Sequence, residues 1–264
     1  MKIKSSEISD KKEQTEIDVE FPDTDNTLSQ DREWCLVSHD GETRRIRFHD
    51  YNQIYAIPGL YEEIFYNHLK CRSPYIICSM LEQEIIRSDM AMEDLRVLDV
   101  GAGNGIMGEQ LMEAGVDEIV GVDIIEEARD AAIRDRPGVY DEYYTVDLTD
   151  IPDKVQQNLE GHHFNCMTLI AALGFGDIPT EVFSEAYNLV DSEGWVAFNI
   201  KHDFLARGEE SEFSELINQM IDRKWFDPTM RLRYQHRLAI DGSPIDYTAF
   251  IGRKIKDIPD IISS

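Results

Sequence analysis

Basic side chains are scarce in this chain: 26 lysines and arginines stand against 52 aspartates and glutamates in 264 residues, a formal charge of −26. Such a surface repels phosphate backbones and disfavours a nucleic-acid partner unless a local cationic patch intervenes. The best patch, Arg44-Arg45-Ile46-Arg47, is short and alternates like one exposed strand face. Cysteines are few as well. Cys35, Cys71, Cys78 and Cys166 form no C-x-x-C pair, so zinc sites and disulfide frameworks are poor explanations for them. No apolar run approaches the ~20 residues that span a bilayer. The stretch MKIKSSEISDKKEQTE carries charge without the apolar centre of a secretory signal, and these absences together predict a cytoplasmic protein with no membrane partner. What is present, 42% hydrophobic and 30% charged residues, belongs to a globular chain with one sizeable α/β domain or at most two small ones.

Along the chain, residues 1–30 are polar and acidic and read as a disordered or loosely attached tail. Residues 31–94 hold a hairpin around Asp40-Gly41 and two helices. The first, in IPGLYEEIFYNHLK, places Leu60, Ile64, Phe65 and His68 on one face. The second is opened by Ser73 as N-cap with Pro74 in the first turn. From residue 95 to 256, strands and helices alternate, and 257–264 form a short tail. RVLDV, EIVGVDI, EYYTVDL, HFNCMTLIAAL and GWVAFNI read as strands. A helix from Thr180 turns Val182, Ala186, Leu189 and Val190 inward, and the next turns Phe213, Leu216, Ile217, Met220 and Ile221 inward. RLRYQHRLAIDGSPIDYTAFIGRK closes the pattern as two strands. Repeated β-α units predict an α/β fold with a mainly parallel sheet covered on both faces and an antiparallel closing hairpin.

The stretch VLDVGAGNGIMGEQL, Val97 to Leu111, is a strand that breaks into glycines and enters a helix, which brings backbone N–H groups close to a ligand. Two fingerprints overlap here. Gly103-Asn104-Gly105-Ile106-Met107-Gly108 matches the dinucleotide pattern G-x-G-x-x-G, with Asp123 about 20 residues beyond its first glycine. Asp99-Val100-Gly101-Ala102-Gly103-Asn104-Gly105 matches the acidic-x-G-x-G-x-G loop that holds S-adenosylmethionine. The acids separate the two. A carboxylate at the end of the first strand repels a pyrophosphate, whereas acceptors favour the ammonium of S-adenosylmethionine. Asp99, Asp123 and Asp147 end three successive strands and suit an adenosine with a cationic tail. A nicotinamide-dependent oxidoreductase is the runner-up, and a non-catalytic cofactor-binding partner protein is a third reading.

The Asp99–Gly105 loop, then VGVDI, then YYTVDL, resembles the successive cofactor motifs of class I S-adenosylmethionine-dependent methyltransferases. The likeness runs from about Leu95 to Lys254. Within that family the chain is most similar to small-molecule enzymes of the Williams–Beuren-region methyltransferase-like type. Ala171-Ala172-Leu173 stands where they have GAL, and LYEEIFYNHLKCRSP is similar to their N-terminal lid helices, with Glu62 where they have Asp. The resemblance implies a Rossmann-like seven-stranded sheet whose last strand is inserted antiparallel beside an edge strand. It also implies that the backbone of Gly101, Ala102 and Gly103 faces the methionine part and that Gly105 permits close helix packing. Asp123 would bind the ribose hydroxyls, Ile124 the adenine face, Asp147 the adenine amine, the Leu148 N–H a ring nitrogen, and Ala171 the sulfonium side.

The acceptor is then expected to be a small molecule methylated on oxygen or nitrogen by in-line displacement. The position of His202 past the fifth core strand makes it the candidate base, with a structural role equally open, and Tyr61 is either part of the lid or simply packed. Asp99 has a helix cap as its second reading. No metal site is expected, since no ligand set accompanies His162-His163.

Overall fold

The computed structural model describes residues 17–23, 28–173, 178–205 and 211–259. Residues 174–177, just past Ala171-Ala172-Leu173, and most of the expected tail lie outside the described residues. Strands β1 (Asp18–Glu20), β2 (Trp34–His39) and β3 (Glu42–Arg47) form a small antiparallel sheet in that order. The expected tail is therefore in part structure: Val19 is buried and Asp18 pairs with Ser38. The β2–β3 hairpin turns at Asp40 (φ 52°) and Gly41 (φ 77°), the doubly left-handed geometry of a tight two-residue turn.

Helix α1 (Tyr51–Ala56) follows, then α2 (Leu60–Glu62), which runs on as a π-helical turn over Glu63–His68, then α3 (Ser73–Arg87). Leu60, Ile64 and Phe65 are buried as their spacing predicts, but His68 is exposed and pairs with Glu63, because the wider π turn rotates it off the apolar face. Ser73 is not a cap. It is the first helical residue, and its hydroxyl enters a buried polar cluster instead.

The core runs β4 (Arg96–Val100), α4 (Ile106–Glu113), β5 (Glu118–Asp123), α5 (Glu126–Asp135), β6 (Glu142–Thr145), α6 (Asp153–Gly161), β7 (Cys166–Leu173), α7 (Thr180–Asn188), β8 (Trp195–Lys201), α8 (Glu212–Asp222), β9 (Phe226–Leu238) and β10 (Pro244–Lys254). The seven-stranded sheet has the order β6-β5-β4-β7-β8-β10-β9, parallel except for β10, which pairs antiparallel with both β8 and β9. The apolar strand runs are buried on both faces, as parallel strands between helices require. Phe164, Phe183, Tyr187 and Phe198 fill one side, and Ile77, Leu81, Leu111 and Trp195 the other. Each such side chain contributes about 1.5–3 kcal/mol by leaving water.

Two helices escape the sequence reading, α1 and α6. Each is short, and Leu159 is the one buried side chain of α6, too little to register a helical period. In α7 and the turn after it, Ala186 and Val190 are buried as their spacing predicts, Val182 and Leu189 pack half-buried against the same core, and Phe183 and Tyr187 are buried beside them.

Two features position a ligand. The strand order reverses between β4 and β7, which opens a crevice at their C-terminal ends. At the tip of β7 the pairing with β8 passes from Leu169–Phe198 directly to Leu173–Ile200, so residues 170–172 bulge opposite Asn199 alone.

Candidate functional site

A cavity of about 440 Å³ fills the crevice. Its floor is the sheet tips: Gly101 after β4, Asp123 and Ile124 after β5, Asp147 and Leu148 after β6, and Ile170, Ala171 and Ala172 of the β7 bulge. Its roof is His49, Tyr51, Tyr55 and Tyr61, contributed by the loop before α1, α1 itself and α2. Ile178, Pro179 and Val182, at the start of α7, close one side.

Six of the ten expected cofactor residues therefore converge on one space: Gly101, Asp123, Ile124, Asp147, Leu148 and Ala171. Asp99, Ala102, Gly103 and Gly105 do not line it. Asp99 is 1% exposed beneath the glycine loop and accepts hydrogen bonds from the Tyr140 hydroxyl (2.8 Å) and the Thr168 hydroxyl (2.6 Å). It stands outside the described lining of the cavity and does not cap the following helix. Burial pushes its carboxyl up to about 6 despite these two donors. Gly103 serves packing: at φ 54° a Cβ there would sit 2.5 Å from the Tyr55 hydroxyl oxygen. Gly105 brings the loop against Tyr140 in the same way.

Asp123 is held ready by its own backbone neighbours. The N–H of Gly103 donates to one carboxylate oxygen at 2.9 Å and that of Ile125 to the other at 3.0 Å, while burial raises its pKa against these bonds. Each oxygen retains a second lone pair for a ligand hydroxyl. Asp147 accepts from the Thr149 N–H (2.9 Å) and hydroxyl (2.7 Å), which hold its carboxyl below the usual range. Ile124 leaves 65% of its surface uncovered beside these acids, an apolar platform next to two acceptors. Among the described lining residues there is no lysine or arginine, so nothing there matches the two charges of a diphosphate.

The catalytic expectations divide. Tyr61 lines the cavity, its ring tilted against those of Tyr55 (5.2 Å) and Phe65 (4.7 Å), and burial pushes its hydroxyl pKa upward, away from service as a base. His202 does not line the cavity; its Nδ1 meets the Thr248 hydroxyl at 2.9 Å, which makes the structural reading the better one. Among the described residues no cluster of histidine, cysteine or acidic side chains could hold a metal.

Sequence reasoning missed His49, Tyr51, Tyr55 and Thr149. Four tyrosines between positions 51 and 66 were the available signal for an aromatic wall. The roof is fastened to the core at two points. Glu62 accepts from Arg136 (2.8 Å) and from the Asn104 amide (2.9 Å), and Arg134 donates to the Tyr55 carbonyl (3.2 Å).

Comparison with known proteins agrees with this geometry. A family model described as a methyltransferase domain matches residues 77–236. Among solved structures, a candidate RNA methyltransferase of Pyrococcus horikoshii shares the fold at 18% identity, with 70% of this chain and 86% of that one covered and a TM-score of 0.51. The N-methyltransferase NodS of Bradyrhizobium japonicum, solved with S-adenosyl-L-homocysteine, aligns at 13% identity over 78% and 97% of the two chains, TM-score 0.50. No curated protein matches the chain. Among the described residues no helix is long and apolar enough to cross a membrane. With three-fifths of its length matched by that model and the strand order and glycine loop of the fold in place, the chain belongs to the methyltransferase-domain family and is a class I S-adenosylmethionine-dependent methyltransferase.

Proposed function

We propose that this enzyme methylates a small, uncharged or amine-bearing molecule in the cytoplasm, within the cavity beneath the tyrosine roof. The tyrosine roof is the observation that carries the reading: His49, Tyr51, Tyr55 and Tyr61 stand over the sheet tips, and the half-open cavity of about 440 Å³ that cofactor and acceptor share is of small-molecule size. The net charge of −26 argues in the same direction against RNA. Four cysteines left as free thiols support the cytoplasmic reading.

The residues fit the cofactor. Asp123 offers two acceptor oxygens to ribose hydroxyls, and Ile124 presents its uncovered face to the adenine. Asp147, kept ionised by Thr149, accepts from the adenine amine while the Leu148 N–H donates to the ring. Gly101 and Ala171 border the end left for the methionine part. When bound, S-adenosylmethionine supplies an electrophilic methyl group that the acceptor's lone pair takes in line with the breaking C–S bond, whose electrons stay on sulfur. The protein's part is alignment and exclusion of water, which the tyrosine roof and the Ile178–Val182 wall perform. An acceptor that must lose a proton has His49 as the imidazole within the cavity, in the role first considered for His202.

Incubation with methyl-labelled cofactor and a fractionated cell extract, followed by mass spectrometry, tests this. Label is expected in the metabolite fraction. Label confined to RNA or protein would overturn the small-molecule reading.

A further inference from the structure

Among the described lining residues, Ala171 is the one non-glycine held at positive φ (62°), in a strand that bulges where it should pair. An L side chain is strained there, and the conformation persists only where the surroundings over-determine it. We propose that Asn199 is a positioning residue for methyl transfer: through its side-chain amide it fixes the β7 bulge and so sets the wall of the cavity at the methyl-donating end. This rests on the cavity being the S-adenosylmethionine site.

One arrangement of donors gives each of these groups a partner. The Ala171 N–H, which the bulge takes out of the ladder, donates to Asn199 Oδ1 at 2.6 Å, so the amide nitrogen must face the other way. There Nδ2 donates to the Tyr234 hydroxyl oxygen (2.6 Å) and to Ser73 Oγ (3.0 Å). The Tyr234 hydroxyl then donates to Ser73 Oγ (2.6 Å), and the Ser73 hydroxyl to Nδ1 of His236 (2.6 Å). In that arrangement Nδ1 is an acceptor, the role of a neutral imidazole. Burial holds the His236 pKa well below its ordinary value and supplies that form. Asn199 and Ser73 are fully buried, His236 and Tyr234 nearly so. The bulge is thus anchored from beneath to α3, β8 and β9, three packed elements.

The peptide geometry shows what the anchor does. There is no cis bond among the described residues, so the Ile170 carbonyl points opposite to the Ala171 N–H. The carbonyl therefore points away from the buried Asn199 cluster, and Ile170 and Ala171 both line the cavity. Loss of the Asn199 amide frees the peptide to rotate, and carbonyl and Ala171 methyl move together.

Calorimetry with S-adenosylhomocysteine reads the site without turnover, and amide hydrogen exchange by NMR reads Ala171 directly. Asn199→Leu is expected to weaken S-adenosylhomocysteine about tenfold or more and to remove the protection of the Ala171 amide while β4 and β5 keep theirs. Asn199→Asp retains an oxygen for that N–H and, in the protonated form that a fully buried position favours, a hydroxyl that donates to Tyr234, so affinity and protection return to within about threefold of wild type. Phe164→Leu, a core change at the opposite end of β7, leaves both readouts unchanged at a temperature well below unfolding. Asn199→Ser, polar and smaller, substitutes if the leucine variant does not fold, with the same expected direction. Wild-type affinity together with a protected Ala171 amide in the folded leucine or serine variant would overturn the proposal. Asp123→Ala separates the underlying reading: unchanged S-adenosylhomocysteine affinity there refutes the cavity assignment and this inference with it. Affinity lost with Asp123→Ala but kept without Asn199 refutes the positioning role alone.

Discussion

Asp99 occupies a place where a carboxylate is expensive. Its pKa rises from an ordinary 3.8 to about 6 because the charge is desolvated, and the Tyr140 and Thr168 hydroxyls offset only part of that. The sign follows from linkage. A group whose folded pKa is raised adds stability below its unfolded value and loses it as pH climbs through about 6. Asp99→Asn should therefore gain on wild type by about 2 kcal/mol between pH 4 and pH 7 in urea unfolding. A difference that stays flat with pH would refute the burial account. The acid at the end of the strand was legible in the sequence; its direction was not. A parallel strand apolar on both faces has no alternation to show which way any one residue points. Ser73 illustrates the same limit. A serine before Pro74 reads locally as a cap, and its contact with Tyr234 and His236 arises from residues more than 160 positions away.

Between residues and molecule, the element that matters most is the roof. Helix α1 seats Tyr55 against Ala128 and Ala131 of α5, and α2 fastens to α4 and α5 through Glu62, Arg136 and Glu109. Arg136 is 10% exposed, so its pair with Glu62 is shielded more than a surface salt bridge. Glu62→Gln keeps the shape and removes the charge. Stopped-flow displacement should show S-adenosylhomocysteine leaving about three- to tenfold faster, with little change in melting temperature. An unchanged off-rate would mean that the roof is held by its apolar packing alone. The sequence announced helices here but not their breaks. Gly59 at φ 80° and the π turn after Glu62 split one apparent helix, and periodicity sums over such irregularities.

For the molecule as a whole, the β-α alternation was legible because buried strands are apolar runs and the glycine loop marks where the first one ends. The antiparallel insertion followed from the resemblance, whereas the roof and the β7 bulge depend on contacts that no local pattern encodes. Charge is the other global property. With −26 on 264 residues the folded state repels itself, so raising salt from about 20 mM to about 500 mM should lift the melting temperature by several degrees. A fall would show that attractive surface pairs outweigh the repulsion.

The placement of β10 between β8 and β9 also has a consequence in time. Chains fold from the N-terminus as they are synthesised. Until residues 244–254 have left the ribosome, β8 presents an uncovered edge and β9 has no neighbour to join. Five of the seven strands pair without β10, so β9 alone waits for it, and a ribosome stalled before Pro244 would hold out a nascent chain with the β8 edge bare, a natural target for chaperone capture.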